Sequence, residues 1–148
     1  MSPTDAVRVL LMARGCPESV VNAGLPGLVD AWDNVVRSVE RGYELTLDDY
    51  LNDMDLRDLI AAAFHASLPD ESARVADLLA AADARFRDRT VDSACLWGVD
   101  IASEEGLDPA REWWYYRRPV RPGDQLQEDL EGWGLAAREE PNGTGDAG

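Results

Sequence analysis

The chain has 148 residues and carries a formal net charge of -15 at pH 7, because 29 Asp and Glu stand against 14 basic residues. A field of this sign repels polyphosphate backbones and anionic lipid and favours basic proteins, so neither nucleic acid nor a membrane is expected as a partner. The length fits one domain, and 45% hydrophobic residues are sufficient for a core, which excludes disorder as the general state of the chain.

Three further features of the sequence bear on the source, the redox state and the location of the protein. All basic residues are Arg, which is typical of codon usage in a GC-rich genome. Cys16 and Cys95 form no CxxC pair, so they indicate neither a zinc site nor a disulfide framework. The apolar run from Ala6 to Ala13 contains Arg8, and it is typical of neither a signal peptide nor a membrane span. A cytoplasmic protein with reduced thiols and no cofactor is expected.

The first part of the chain predicts helices, since apolar residues recur at intervals of three and four. A short helix begins at Pro3 and ends at Gly15, and a second short turn begins at Pro17 and ends by Pro26. The clearest helix covers about residues 27–41. Its apolar stripe consists of Leu28, Val29, Trp32, Val35, Val36 and Val39.

Two longer helices are predicted next, each from a cap and an apolar stripe. Thr46 is the predicted N-cap of a helix over about residues 47–64, with residues 52–53 as an alternative break that would divide it in two. Asp70, after a proline, is the predicted cap of a further helix that ends near residue 88.

The remaining elements are less regular. Residues 94–102 are almost continuously apolar and fit either a buried helix or a buried strand, and the shared face favours a helix over 90–105. Asp108 and Pro109 predict the start of a helix that runs into the aromatic residues 113–116. Prolines 119 and 122 predict extended chain, and a last short helix is predicted over 124–131.

Taken together, the elements predict an all-α fold. We expect an irregular bundle of about five to seven helices, formed by an acidic helical domain over residues 1–136. Residues 137–148 have no large apolar side chain and contain one proline and three glycines, so they are predicted to be a disordered tail.

The densest acidic segment covers residues 44–58, where six carboxylates surround a single basic residue, Arg57. Such a segment either binds a basic protein surface or a divalent cation, or it forms a solvated helix face with caps. In the first interpretation its charge steers a partner toward the protein. The residues predicted to steer are Asp48, Asp49, Asp53 and Asp55.

A second unusual segment, WWYYRRPVR, covers residues 113–121. Four consecutive rings on a helix point around its circumference, so they cannot all enter one core. The segment is therefore either a contact surface, since Trp, Tyr and Arg dominate interface energetics, or an internal seal whose arginines pair with the acidic segment. As a contact surface, its anchors would be Trp113, Trp114, Tyr115, Arg117 and Arg118.

Two acidic pairs at i, i+3 spacing offer an alternative chemistry. Asp30 with Asp33, and Asp55 with Asp58, would each place two carboxylates on one helix face, and together they could hold Mg²⁺. This arrangement is similar to that of the all-α nucleotide pyrophosphohydrolases, which implies a metal-activated water acting on a polyphosphate. Those enzymes favour Glu at most of these positions, whereas this chain has Asp.

Other catalytic signatures are missing from the sequence. His65 is the only histidine, the chain has no Lys for a P-loop, and neither a GxGxxG nor a GxSxG motif is present. The leading hypothesis is therefore a non-enzymatic, acidic module that binds a basic protein partner, such as an inhibitor, an antidote or immunity protein, or a regulatory subunit. The alternatives are the Mg²⁺-dependent hydrolase and a self-assembling homo-oligomeric subunit.

Overall fold

The computed structural model describes residues 3–135, and the tail predicted over 137–148 lies outside this range. The described part is an all-α fold with six α-helices and one small antiparallel sheet, which confirms the predicted class. The elements are α1 (Pro3–Ala13), α2 (Glu18–Arg41), α3 (Leu47–Ala66), α4 (Pro69–Asp88), β1 (Thr90–Asp92), α5 (Val99–Glu105), a 3-10 helix (Trp113–Tyr116), β2 (Arg117–Pro119) and α6 (Asp124–Gly132).

Helix α2 joins two elements that the sequence separates. Gly24 has φ of 64° and ψ of -155°, values that interrupt the helix and that glycine tolerates better than any residue with a Cβ. Pro26 lacks the N–H that a continuous helix would use, so the kink falls between two helical segments. Gly27 lets the turns close at the kink, since a Cβ there would lie 2.4 Å from that of Ala23.

Helix α3 begins at its predicted N-cap, whereas helix α4 does not. The Thr46 hydroxyl accepts a hydrogen bond from the Asp49 N–H at 3.1 Å, and the Asp49 carboxylate accepts one from the Thr46 N–H at 3.2 Å. Helix α3 continues without a break through residues 52–53. Leu68 occupies the cap position of α4, so the prediction of Asp70 as its cap is wrong. Asp70 instead lies in the first turn, where its charge favours the helix dipole.

The helix predicted over residues 90–105 is wrong in its first half. Gly98 has φ of 96°, which a right-handed helix excludes, and only Val99–Glu105 is helical. The preceding strand β1 pairs antiparallel with β2, in the register Thr90 with Pro119, Val91 with Arg118 and Asp92 with Arg117. Extended chain was predicted correctly at Pro119.

The helix predicted to start at Asp108 and Pro109 is also wrong. A turn forms there because the Asp108 carboxylate accepts a hydrogen bond from the Ala110 N–H at 2.8 Å. Regular structure resumes only in the 3-10 helix, which is short and leads directly into β2. The aromatic segment therefore forms a 3-10 helix and the start of a strand instead of extending an α-helix.

The core lies around α2, whose predicted apolar stripe is fully buried. Trp32 packs against Phe86 of α4 with ring centroids 5.1 Å apart. At the edge of the same contact, Arg85 bridges Asp33 at 2.6 Å and Glu40 at 2.8 Å. Its hydrogen bond lowers the pKa of Glu40. Among the helices of residues 3–135, none combines the length and apolar character that a membrane crossing requires.

Candidate functional site

The aromatic segment seals the bundle around Arg57. Trp114 and Tyr115 are only 3% and 4% exposed. The Arg57 guanidinium lies 4.7 Å from the ring centroid of Trp114 and 5.7 Å from that of Trp113. The Arg87 guanidinium lies 3.8 Å from the Trp113 centroid. The expectation that Trp114 and Tyr115 are exposed anchors is therefore wrong, because the 3-10 helix turns both rings into the protein.

Arg57, the one basic residue of the acidic segment, is buried and paired. Its Nε and Nη2 donate to the two carboxylate oxygens of Asp83, at 3.1 and 2.9 Å. Trp32 donates from its indole N–H to the same carboxylate at 2.9 Å. Asp83 thus receives three hydrogen bonds, and the pair connects α2, α3 and α4 at a place where the side chain of Arg57 is only 9% exposed and that of Asp83 is 18% exposed.

Arg117 has a structural role as well. Its guanidinium donates to the Thr90 hydroxyl at 2.7 Å, to the Thr90 carbonyl at 2.8 Å and to the Asp92 carboxylate at 2.7 Å. These bonds hold β2 against β1, so Arg117 does not pair with the acidic segment, and that alternative is wrong. The role of Arg117 as a contact anchor stays a prediction. Arg118 is partly exposed opposite Val91 and remains accessible at the surface.

The acidic segment is partly structural. Asp48 is exposed, whereas Asp49 belongs to the cap of α3. Asp53 accepts a hydrogen bond from the Tyr43 hydroxyl at 2.5 Å. Burial raises the pKa of Asp53, and the hydrogen bond from Tyr43 offsets part of that shift. Among the predicted steering residues, Asp48 and Asp55 are the exposed ones.

One surface pocket brings acidic and aromatic side chains together. It has a volume of about 300 Å³ and lies between α3, α5 and the 3-10 helix, and we call it the acid–aromatic pocket. This volume is at the lower end of ligand pockets and suits a single side chain. Three carboxylates and two rings contribute to its wall. The lining residues are Asp55, Asp58, Trp97, Ile101, Glu105, Leu107 and Tyr115.

The pocket joins rigid and exposed parts of the protein. Tyr115 is buried and donates from its hydroxyl to the Asp55 carboxylate at 2.5 Å, which fixes the floor of the pocket. Trp97 and Ile101, at 38% and 37% exposure, form an accessible apolar rim. Trp97, Ile101 and Glu105 are not among the predicted site residues, because the sequence pattern over residues 90–105 indicates a buried helix.

Asp58 is a carboxylate of this pocket whose ionised form is electrostatically disfavoured. It is half-buried, and within the described residues it accepts no hydrogen bond. Burial raises the pKa of Asp58, and the nearby carboxylates of Glu112 and Asp55 raise it further, while Arg14 and Arg57 partly offset the effect. A cation placed in the pocket would therefore stabilise the ionised form of Asp58.

Asp58→Asn is expected to stabilise the protein at pH 7, raising Tm by about 1 to 3 °C. The folded-state pKa of Asp58 lies above the unfolded value, so ionisation opposes folding above that pKa, and the opposition disappears as the pH falls through it. The gain over the parent should thus vanish near about pH 3 to 4. Thermal unfolding across this range measures it, with Asp77→Asn on the exposed face of α4 as the charge-matched control. A lower Tm at pH 7 would contradict the assignment.

The four aspartates of the magnesium alternative do not form one site. Asp33 is bound by Arg37 at 2.9 Å and by Arg85 at 2.6 Å, and Asp55 accepts the hydrogen bond from Tyr115. Within residues 3–135, no group of three or more His, Cys, Asp or Glu side chains is placed so that it could hold a metal ion. The resemblance to the pyrophosphohydrolases is therefore limited to the sequence spacing.

No family model, curated protein or solved structure matches this chain significantly. Function must accordingly be argued from the chemistry of the site, since a helical bundle alone is compatible with many functions. The carboxylates and aromatic side chains that line the acid–aromatic pocket have the chemistry that suits an organic cation.

Proposed function

We propose that this chain is a non-enzymatic, acidic binding module that receives a basic side chain of a partner protein in the acid–aromatic pocket. Inhibitors, antidote or immunity proteins and regulatory subunits belong to this class. The observation that carries the proposal is the half-buried Asp58, which lies without a hydrogen-bond donor of its own in the described part of the chain and beside two aromatic rings.

Arginine is the side chain that this chemistry favours. A guanidinium can donate to two carboxylate oxygens at once and can stack on an aromatic face, whereas the lysine ammonium is a compact and strongly hydrated charge. The protein already uses the same combination internally, where Arg57 binds Asp83 and lies over Trp113 and Trp114. An arginine from outside would find Asp58 and Glu105 beside the Trp97 ring.

The charge of the whole molecule supports the same partner. A net charge of -15 attracts a basic surface over a distance and raises the association rate, most strongly at low salt. Exposed Asp48 contributes to this field, while the pocket supplies the short-range contact. The residues that attract the partner and the residues that bind it then lie on α3 and on the elements next to it.

The test is a titration with N-acetyl-arginine methylamide, followed through the indole N–H resonance of Trp97 in a two-dimensional NMR spectrum. A saturable shift is expected, and the citrulline analogue, which is uncharged but similar in shape, should leave the resonance in place. Glu105→Gln should weaken binding about two- to fivefold and Asp58→Asn about tenfold, because charged hydrogen bonds are lost from a partly exposed site.

Glu104→Gln is the matched control, since Glu104 is the exposed neighbour of Glu105 on α5 and does not line the pocket. It changes the net charge by the same amount and should leave the titration unchanged. Equal effects of the two substitutions, or equal binding of arginine and citrulline, would contradict the proposal.

Self-association through the same face is a second candidate function. Val99 at the start of α5 is 81% exposed, and Trp97 and Ile101 on the rim of the pocket are 38% and 37% exposed, so apolar side chains are accessible in this part of the chain. Light scattering across a range of concentrations distinguishes a homo-oligomer from a monomer of 16.3 kDa.

A further inference from the structure

A second pocket adjoins the acid–aromatic pocket. It has a volume of about 410 Å³ and lies between α2 and α3, and we call it the α2–α3 groove. Asp55 lines both pockets, so they meet across a single side chain. The wall of the groove is otherwise mostly apolar or small. Its lining residues are Cys16, Ser19, Val20, Ala23, Gly27, Leu28, Ala31, Asn52, Asp55, Leu56 and Leu59.

The sequence explains why the groove is open. On α2, two small residues before the kink at Gly24 and two after it line the groove, so this wall of the groove has little side-chain bulk. On α3, Leu56 and Leu59 face this gap and stay half-buried. The small residues on α2 are Ser19, Ala23, Gly27 and Ala31.

Resting on the proposed function, we propose that the α2–α3 groove takes a large apolar side chain from the same partner segment whose arginine enters the acid–aromatic pocket. The occupant is an amphipathic helix of a basic protein, with an arginine and a Leu- or Phe-sized residue three or four positions apart. This spacing fits two sites that share one lining residue, Asp55.

Charge complementarity selects this occupant. The groove carries one carboxylate, Asp55, at the end that meets the acid–aromatic pocket, and the opposite wall around Val20 and Leu28 is apolar. A segment that is cationic at one anchor and apolar at the next satisfies both ends. An anionic ligand such as a nucleotide or an acidic lipid would meet Asp55, Asp58 and Glu105 together with the field of the whole chain.

The probes are fluorescein-labelled, alanine-rich helical peptides of about 18 residues, long enough to hold helical structure in water. Each carries one Arg and one Phe four positions apart, and both orders are made. Matched peptides replace Phe by Ala or Arg by citrulline. Fluorescence anisotropy should show that one order binds about 10- to 100-fold more tightly than its Phe→Ala counterpart, which corresponds to burial of one aromatic side chain.

Two further measurements test whether the peptide binds in the α2–α3 groove. Cys16 is half-buried on the groove wall while Cys95 is buried, so bound peptide should slow alkylation of Cys16 by a maleimide. Ala31→Phe should fill the groove and weaken peptide binding about tenfold, without changing the titration of Trp97 by N-acetyl-arginine methylamide. Ala80→Phe, on the exposed face of α4, is the matched control. Ser19→Trp replaces Ala31→Phe if that variant does not fold.

The outcomes separate this inference from the proposed function. Equal affinities of the Phe and Ala peptides, with arginine still required, would overturn the groove inference and leave the acid–aromatic pocket standing. Equal affinities of the arginine and citrulline peptides would overturn both. Failure of both orders to bind at about 1 mM would overturn the groove inference. The titration with the arginine derivative then decides the proposed function on its own.

Discussion

Asp83→Ala is expected to lower the free energy of unfolding by about 3 to 5 kcal/mol, a large share of the stability of a domain of this size. The substitution leaves the Arg57 guanidinium without its carboxylate, although Arg57 is only 8% exposed. It also removes the acceptor of the Trp32 indole N–H. The Trp113 and Trp114 faces attract the cation, but they do not replace the two hydrogen bonds from Asp83. Urea unfolding followed by circular dichroism measures the loss.

Two controls assign this effect to the buried charge. The double variant Arg57→Met/Asp83→Asn removes both charges and keeps an amide oxygen for Trp32, so it should lose much less stability than Asp83→Ala alone. Arg37→Ala breaks an i, i+4 pair with Asp33 in which the arginine side chain is 59% exposed. That loss should be about 0.5 kcal/mol or less. A similar loss in Asp83→Ala would mean that Arg57 is solvated in solution.

The first four helices could be predicted in large part because their signals are local. Apolar residues at intervals of three and four mark the buried face of α2, and Thr46 with Asp49 marks the start of α3 through a hydrogen-bond pattern that spans four residues. Gly24 and Pro26 correctly indicated an interruption, although the helical segments on either side of the kink form one element.

The segment from residue 90 to residue 119 could not be predicted in the same way. A strand of three residues is too short to show a period of two, and its partner lies more than twenty residues away along the chain. Arg117 adds side-chain hydrogen bonds to this backbone pairing by donating to Thr90 and Asp92, and nothing local in the sequence indicates those acceptors. The apolar run that includes Cys95 and Leu96 is buried as a loop instead of a helix.

The candidate site was predicted only in part, for a related reason. The acidic segment was recognised, but sequence spacing does not tell which carboxylates serve the fold, as Asp49 and Asp53 do, and which line a pocket, as Asp55 and Asp58 do. In the sequence Arg57 is a single basic residue among six carboxylates. In the structure it is buried, and its ion pair with Asp83 links α3 to α4. The pocket exists only where α3, α5 and the 3-10 helix meet.

Trp114→Ala is expected to lower the free energy of unfolding by about 3 to 5 kcal/mol, because it removes a large buried ring. The ring lies against Arg57, so its loss also opens the buried ion pair. Trp114→Phe should be much milder. It keeps most of the ring volume, and it removes an indole N–H that is buried without a hydrogen-bond partner among the described residues. The comparison is again made by urea unfolding.

Trp97→Ala is the matched substitution that separates a core tryptophan from a contact tryptophan. Trp97 is 38% exposed on the rim of the acid–aromatic pocket, so its loss should reduce stability by about 1 kcal/mol or less while weakening the arginine peptides several-fold. A Trp114→Ala protein that keeps the parental stability but no longer binds the peptides would contradict this assignment. It would indicate that the aromatic segment is the contact surface. The free energy of unfolding and the peptide affinity together show which role each tryptophan has. Loss of a ring packed on Arg57 should mainly lower stability, whereas loss of a ring at the pocket should mainly lower affinity.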